Sequence, residues 1–253
     1  MKNYQGKKVL ITGGTHGMGF ATAQMLLSAG AEVIVTGSNE QRVAVAQEAL
    51  GKEAVALRSD ATSMADIQAL AAYVKAHAGQ VDLVHINVGF SLLELTAAVT
   101  EESYDKTFDI NTKGAFFTAQ QLSPLVKDGG AIVFTTSIAN TSGYAGMGTY
   151  SGAKAAVSAF MKVLAAELAP RGIRVNAVSP GFISTPTMGV SGVSAAELAQ
   201  FEALGNAITP MKRHGRMEEV ANAVLFLGFE ATFTTAAELT VDGGLSHRLT
   251  LPS

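Results

Sequence analysis

Residues 7–30 read KKVLITGGTHGMGFATAQMLLSAG, and the way this stretch changes character sets the fold class. Its first half is a β-branched, apolar run with no polar alternation, the pattern of a strand buried on both faces. Its second half, from Gly17 to Ala29, has the small and apolar content of a packed helix, stopped by Gly30. Between them lie Gly13, Gly17 and Gly19. A glycine turn joining a strand to a helix lets backbone N–H groups approach a pyrophosphate at the helix N-terminus. The spacing is T-G-x-x-x-G-x-G, led by Thr12, rather than the common G-x-G-x-x-G. Glycines alone fit an ordinary turn; their place between a strand and a helix is what favours a nucleotide.

The same alternation runs outward along the chain. Strands are predicted at EVIVTG (32–37), EAVALRS (53–59), VDLVHIN (81–87), AIVFTTS (131–137), IRVNAVS (173–179) and AELTVDGG (237–244). Helices are predicted over Glu40–Leu50, Met64–His77, 105–122, around Tyr150 and over 219–228. Apolar strands alternating with helices predict an α/β fold. It is a single Rossmann-like, doubly wound parallel sheet of about seven strands with helices on both faces. Nothing splits the chain, so residues 1–253 read as one domain. Gly181 to His214 lacks a clear pattern, and a substrate lid is expected at 186–214.

Composition narrows the function classes. The 253 residues are 48% hydrophobic and 15% charged, with a formal net charge of −3, which leaves no electrostatic footprint for nucleic acid or an anionic membrane. No apolar run reaches membrane-span length, and MKNYQGKKVLITGG lacks the apolar core of a signal peptide. The absence of cysteine excludes disulfides and thiol catalysis and fits a cytoplasmic protein. The five histidines are scattered, so no metal site is expected.

The second strand ends in TGSNE, with Gly37 where an acid would hold the ribose hydroxyls of an unphosphorylated dinucleotide. Without that acid, a 2′-phosphate meets no repulsion, Ser38 and Asn39 offer donors, and His16 lies on the same side. NADP(H) is the expectation; with no arginine at these positions NAD(H) stays open. Ser38 also reads as the cap of the next helix, with Gln41 completing a capping box.

Tyr150 and Lys154 stand four apart on one helical face. An ammonium about 4 Å from a phenol favours the phenolate by roughly 4 kcal/mol at an effective dielectric near 20, about three pKa units. Such a shift would suit general acid–base chemistry, although an exposed pair of this kind is commonly inert. Ser137 ends a strand at the carboxyl edge, where doubly wound sheets bind ligands. Asn111 lies inside an apolar helix and needs a partner or a water. For Ser137 the plain alternative is a strand-end turn, and for Asn111 a satisfied core amide.

Taken together, Thr12-Gly13-x-x-x-Gly17-x-Gly19, Asp60, INVG (86–89), Asn111, Ser137, Tyr150-x-x-x-Lys154 and SPGFIST (179–185) resemble the short-chain dehydrogenases/reductases over nearly the whole chain. The resemblance implies that Tyr150 protonates a carbonyl oxygen, Ser137 polarises it, and Lys154 lowers the tyrosine pKa and holds the nicotinamide ribose. Asn111 would support a water linking Lys154 to solvent. It implies cofactor contacts from Gly13, Thr15, His16, Gly17, Met18, Gly19, Ser38, Asn39, Asp60 and Ala61. Others follow from Asn87, Gly89, Pro180, Gly181, Ile183 and Thr185, with Asp60 at the adenine and Ile183 and Thr185 at the nicotinamide amide. Where the family has NNAG, this chain carries Ile86 and Val88.

By the same resemblance, Phe90, Ser91, Ile138, Ala139, Asn140, Tyr144, Phe182 and Met188 line the substrate pocket. This set lacks charge and suits a small apolar ketone, aldehyde or alcohol. A 3-oxoacyl-[acyl-carrier-protein] reductase is the alternative, with Arg171 at a basic position found in those enzymes and Lys127 nearby. A non-catalytic NADP-sensing regulator would be expected to lack the tyrosine or the lysine. Relatives commonly form homotetramers, and Ala155, Ala156, Ala159 and Val163 would suit a close helix contact.

Overall fold

The computed structural model describes residues 3–186, 194–247 and 249. Lys8–Thr12 forms β1, and the turn after it releases α1 (Gly17–Ser28). Gly13 and Gly17 adopt φ of 64° and 60°, the left-handed region that glycine enters without steric cost. β2 (Glu32–Gly37), α2 (Glu40–Leu50), β3 (Ala54–Arg58), α3 (Met64–His77) and β4 (Val81–Ile86) repeat the unit. Then follow α4 (Glu101–Phe108), α5 (Gly114–Leu122), β5 (Val126–Thr135), α6 (Gly148–Leu168) and β6 (Arg174–Pro180). A two-residue β7 (Ile183–Ser184), α7 (Ala195–Ile208), β8 (Gly215–Arg216), α8 (Met217–Leu225) and β9 (Glu238–Val241) complete the order.

The main sheet runs β3-β2-β1-β4-β5-β6-β9, with every pair parallel. The order reverses between β1 and β4, and this switch point opens a crevice at the carboxyl ends of the strands. Alternate strand residues feed two cores. Val9, Ile11, Val35, Leu83 and Val133 pack against Leu26 of α1 and Val220 and Val224 of α8. Leu10, Ile34, Val84, Ile132 and Phe134 pack against α3, α5 and α6 through Leu70, Leu122, Val157 and Met161. Burial of each such side chain contributes about 1.5–3 kcal/mol, which is why the strands read as continuous apolar runs.

Three local expectations change. The stretch 181–214 contains a 14-residue helix, α7, begun by a capping box in which Ser194 Oγ accepts from Glu197 N. The cap of α2 is Asn39, whose Oδ1 accepts from Arg42 N at 2.9 Å, so Ser38 is released from that duty. The expected helix over 105–122 is interrupted by a π-helical turn, Asp109–Lys113, centred on Asn111.

Candidate active site

A cleft of about 710 Å³ follows the carboxyl ends of β1, β2, β4, β5 and β6. Gly13, Thr15, His16, Gly17 and Met18 line it from the glycine turn. Ser38 and Asn39 join from the end of β2, with Asp60 and Ala61 from the end of β3. Asn87 and Gly89 follow β4, and Pro180, Gly181, Ile183 and Thr185 follow β6. Gly19 stands behind the turn: a Cβ there would lie 2.5 Å from Gly13 O and 2.7 Å from Asn87 Nδ2, so this glycine lets α1 close against β1. A Cβ at Gly37 would meet the Thr15 side chain, with Oγ1 at 2.6 Å, so Thr15 must turn to admit one.

Asn87 braces the turn rather than standing free. Its Nδ2 donates to Gly13 O (3.0 Å), its N donates to Thr12 Oγ1 (3.1 Å), and its Oδ1 accepts from Thr135 Oγ1 (3.1 Å). With its proton given to Asn87, Thr135 Oγ1 accepts from His85 Nε2 at 2.9 Å, which fixes the Nε2–H tautomer. His85 is fully buried, and burial holds its pKa down to about 3. Asp60 is held by Thr62, which donates to its Oδ1 through both N (2.9 Å) and Oγ1 (2.8 Å).

At the centre of the cleft stand Ser137, Tyr150 and Lys154. Ser137 begins a short 3₁₀ turn, Ile138–Asn140, and its hydroxyl stands close enough to the Tyr150 phenol to favour the phenolate. Lys154 Nζ donates to Thr135 O (2.9 Å) and lies 5.8 Å from the Tyr150 ring centroid. Burial holds Lys154 down to about 8. The expectation that the ammonium lowers the phenol is reversed here: burial raises Tyr150, and the Ser137 hydrogen bond offsets only part of that rise. The lysine is aimed at a backbone carbonyl rather than at the phenol oxygen, so desolvation of the phenolate wins.

Asn111 lies behind the cleft, with no exposed surface. Its Oδ1 accepts from Phe90 N (3.1 Å), and its Nδ2 donates to Phe90 O (2.7 Å) and Thr107 O (2.9 Å). All three partners are protein, so the side-chain amide clamps the Phe90 backbone. Phe90, Ser91, Ile138, Ala139, Tyr144 and Phe182 line the substrate end. Asn140 does not: its Nδ2 donates away from the cleft to Glu238 Oε1 (2.7 Å) and Ser158 Oγ (2.7 Å). Met188 lies outside the described residues.

Among the cleft residues that the sequence reading missed, two groups bear on the chemistry. Arg42, in the first turn of α2, joins Ser38 and His16, whose pKa is lowered by burial first and by the Arg42 charge second. Phe201, Leu204 and Ile208 of α7 cover the substrate end. Their i, i+3, i+7 spacing behind Ser194-x-x-Glu197 was the available signal. Arg171, a basis for the carrier-protein alternative, is at the opposite end of the sheet and already bound to Asp128 Oδ1 (2.9 Å) and Ser123 O (3.0 Å). Lys127 at that end pairs with Asp82 (2.8 Å).

The family model described as enoyl-(acyl carrier protein) reductase matches residues 13–246, which span the glycine turn, the Ser–Tyr–Lys cluster and β9. This chain belongs to the short-chain dehydrogenase/reductase family. As a member it is an oxidoreductase with a nicotinamide dinucleotide cofactor. The chain is 36% identical to "Oxidoreductase asL5" of Sarocladium schorii, covering 96% of each chain. It is 33% identical to the 3-oxoacyl-[acyl-carrier-protein] reductase FabG of Escherichia coli, over 96% of this chain and 98% of that one. Among solved structures, a short-chain dehydrogenase/reductase (glucose/ribitol dehydrogenase) from Brucella melitensis superposes with a TM-score of 0.89 at 26% identity, covering 97% of this chain and 99% of that one. Levodione reductase gives 0.87 at 26% identity, over 98% and 100%. The short-chain dehydrogenase/reductase cleft fits its cofactor sterically, because bare glycine backbone faces the cleft at the N-terminus of α1.

Proposed function

We propose that this chain interconverts an apolar ketone or aldehyde and its alcohol with NADP(H), using Tyr150 as general acid and base. The carrying observation is that one cleft joins an Arg42–Ser38–His16 corner to a Ser137–Tyr150–Lys154 centre and an apolar far end. When bound, the nicotinamide supplies hydride to the carbonyl carbon or takes it from the alcohol carbon. In reduction, Ser137 donates a hydrogen bond to the substrate oxygen and Tyr150 gives that oxygen its phenolic proton. Lys154, fixed by Thr135 O, holds the ribose side of the cofactor and re-supplies the proton. Arg42 offers a charge-assisted fork to a 2′-phosphate that a ribose hydroxyl cannot exploit. Phe90, Phe182, Phe201 and Leu204 favour an uncharged, apolar substrate body. The chain works as a homotetramer in the cytoplasm.

Fluorescence titration of the purified protein with NADPH and with NADH tests the cofactor. Tight binding of NADPH alone supports the Arg42 corner; preference for NADH sinks it. Turnover of benzil, decanal or menthone with the preferred cofactor then tests the reaction. The carrier-protein reading keeps support from the FabG relative, whereas Arg171 and Lys127 already have acidic partners in this chain. A rate far higher with a 3-oxoacyl thioester on acyl carrier protein than with benzil would select that reading.

A further inference from the structure

Behind the wall that carries Ser137, one carboxylate gathers donors from three elements. Glu238, first residue of β9, accepts at Oε1 from the Thr136 hydroxyl and from Asn140 Nδ2 (2.7 Å). At Oε2 it accepts from Ser158 Oγ of α6 (3.2 Å). Asn140 Nδ2 reaches the same Ser158 Oγ at 2.7 Å, and that oxygen lies 3.3 Å from Lys154 O. Ser137 thus sits between two residues tied to one acid, and the third tie runs to the helix carrying Tyr150 and Lys154. The turn itself rests on Ser137: Ala139 N donates to its Oγ (3.2 Å) and Asn140 N to its carbonyl (3.0 Å). β9 pairs with β6 through backbone alone, so strand pairing does not require an acid at this position.

We propose that Glu238 is a positioning residue that holds the Ser137 hydroxyl against the Tyr150 phenol, acting through Thr136, Asn140 and Ser158. The proposal rests on the reading of Ser137 as the group that polarises the substrate oxygen. Removing the acid takes one acceptor from each donor and leaves the Thr136 hydroxyl on Val178 O (3.0 Å), Asn140 Nδ2 on Ser158 Oγ and Ser158 Oγ on Lys154 O, so nothing then ties the turn to β9 and α6 through a shared acceptor. Asn140 is left with Ser158 Oγ as its one acceptor, and its Oδ1 has no partner among the described residues, so its side chain has little else to hold it. A small shift of the turn moves Ser137 Oγ, and misplacement of a reacting group on the ångström scale slows chemistry strongly. Glutamine preserves the arrangement: its carbonyl accepts from Thr136 and Asn140, and its amide donates to Ser158 Oγ, whose own proton turns to Lys154 O.

The test is a double-mutant cycle on benzil reduction with NADPH, together with amide hydrogen exchange of residues 138–141 in the cofactor-free protein. Glu238→Ala is expected to lower kcat about tenfold or more while NADPH affinity stays within about twofold. Glu238→Gln is expected to restore kcat and exchange rates to near wild type. The double variant Ser137→Ala/Glu238→Ala should be no slower than Ser137→Ala, because the acid acts through the serine. Exchange at Ala139 and Asn140 should quicken in Glu238→Ala without substrate present. Independent, multiplicative losses with a slow Ser137→Ala, or unchanged exchange, would overturn the positioning role alone. Wild-type kcat in Ser137→Ala would overturn it together with the reading of Ser137. Should Glu238→Ala fail to fold, Thr136→Val and Asn140→Ala cut the same ties singly, and unchanged kcat in both overturns the proposal.

Discussion

Tyr150 and Lys154 are neighbours that burial pushes in opposite directions, the phenol up and the ammonium down to about 8. Each shift favours the neutral form, so the phenol enters reduction already carrying its proton. Replacing it tests that role: Tyr150→Phe should lower kcat by about 10²–10⁴-fold and leave NADPH affinity intact by fluorescence. A sensor that binds without turnover would be indifferent to the change. Arg42→Ala should weaken NADPH binding about tenfold or more while sparing NADH, since only the 2′-phosphate loses a charge-assisted partner. Equal weakening of both would show that the side chain serves the fold. His85 carries a stability prediction. Its folded pKa, about 3, lies below the ordinary histidine value of 6.5, so between those values the unfolded chain binds a proton that the native chain does not. Stability therefore falls as pH drops below about 6.5. His85→Val should flatten that fall, measured as chemical-denaturation midpoints across the acid range.

At the scale of elements, the junction between β1 and α1 is the least tolerant. A methyl at Gly19 would press on Gly13 O and on the Asn87 amide, both fixed in place. Gly19→Ala should therefore raise the Kd for NADPH about tenfold or more by displacing the turn, and an unchanged Kd would mean the turn can yield. This junction was legible in the sequence because glycine spacing and a doubly buried strand leave few alternatives. The helices over both sheet faces were legible for the same reason, since each packs an apolar side on the core. α7 was not: Phe201, Leu204 and Ile208 face the cleft, so its apolar residues mark no core stripe. The π-turn at Asn111 was hidden because its polar residue looks like any satisfied amide inside a helix. A cap shifted by one residue, from Ser38 to Asn39, changed the chemistry offered at the cofactor corner. Sequence spacing alone fixed the Tyr150–Lys154 proximity but not the direction of the ammonium, which depends on Thr135 O two elements away.

Across the whole molecule, the sheet places every proposed chemical group at one end and leaves apolar side chains on the outer faces of α4, α5 and α6. Tyr104, Phe116 and Val163 are 44%, 44% and 58% exposed. Such surface is costly to leave in water, and a homotetramer would cover it. Light scattering at micromolar concentration should give four chain masses, and Val163→Glu should give a smaller species; a wild-type monomer would sink the assembly. A division of labour also follows from how α7 is attached. It meets the rest of the chain through Phe201 on Phe182, with ring centroids 5.0 Å apart, and through Asn206 Oδ1 on His214 Nδ1 at 2.8 Å, while the dinucleotide end of the cleft rests on the sheet. Selection can thus rewrite the cover without disturbing the machinery beneath it. Descendants of one ancestor can acquire new diets by drift in a single surface segment, and a transplanted α7 should carry its donor's preference with it.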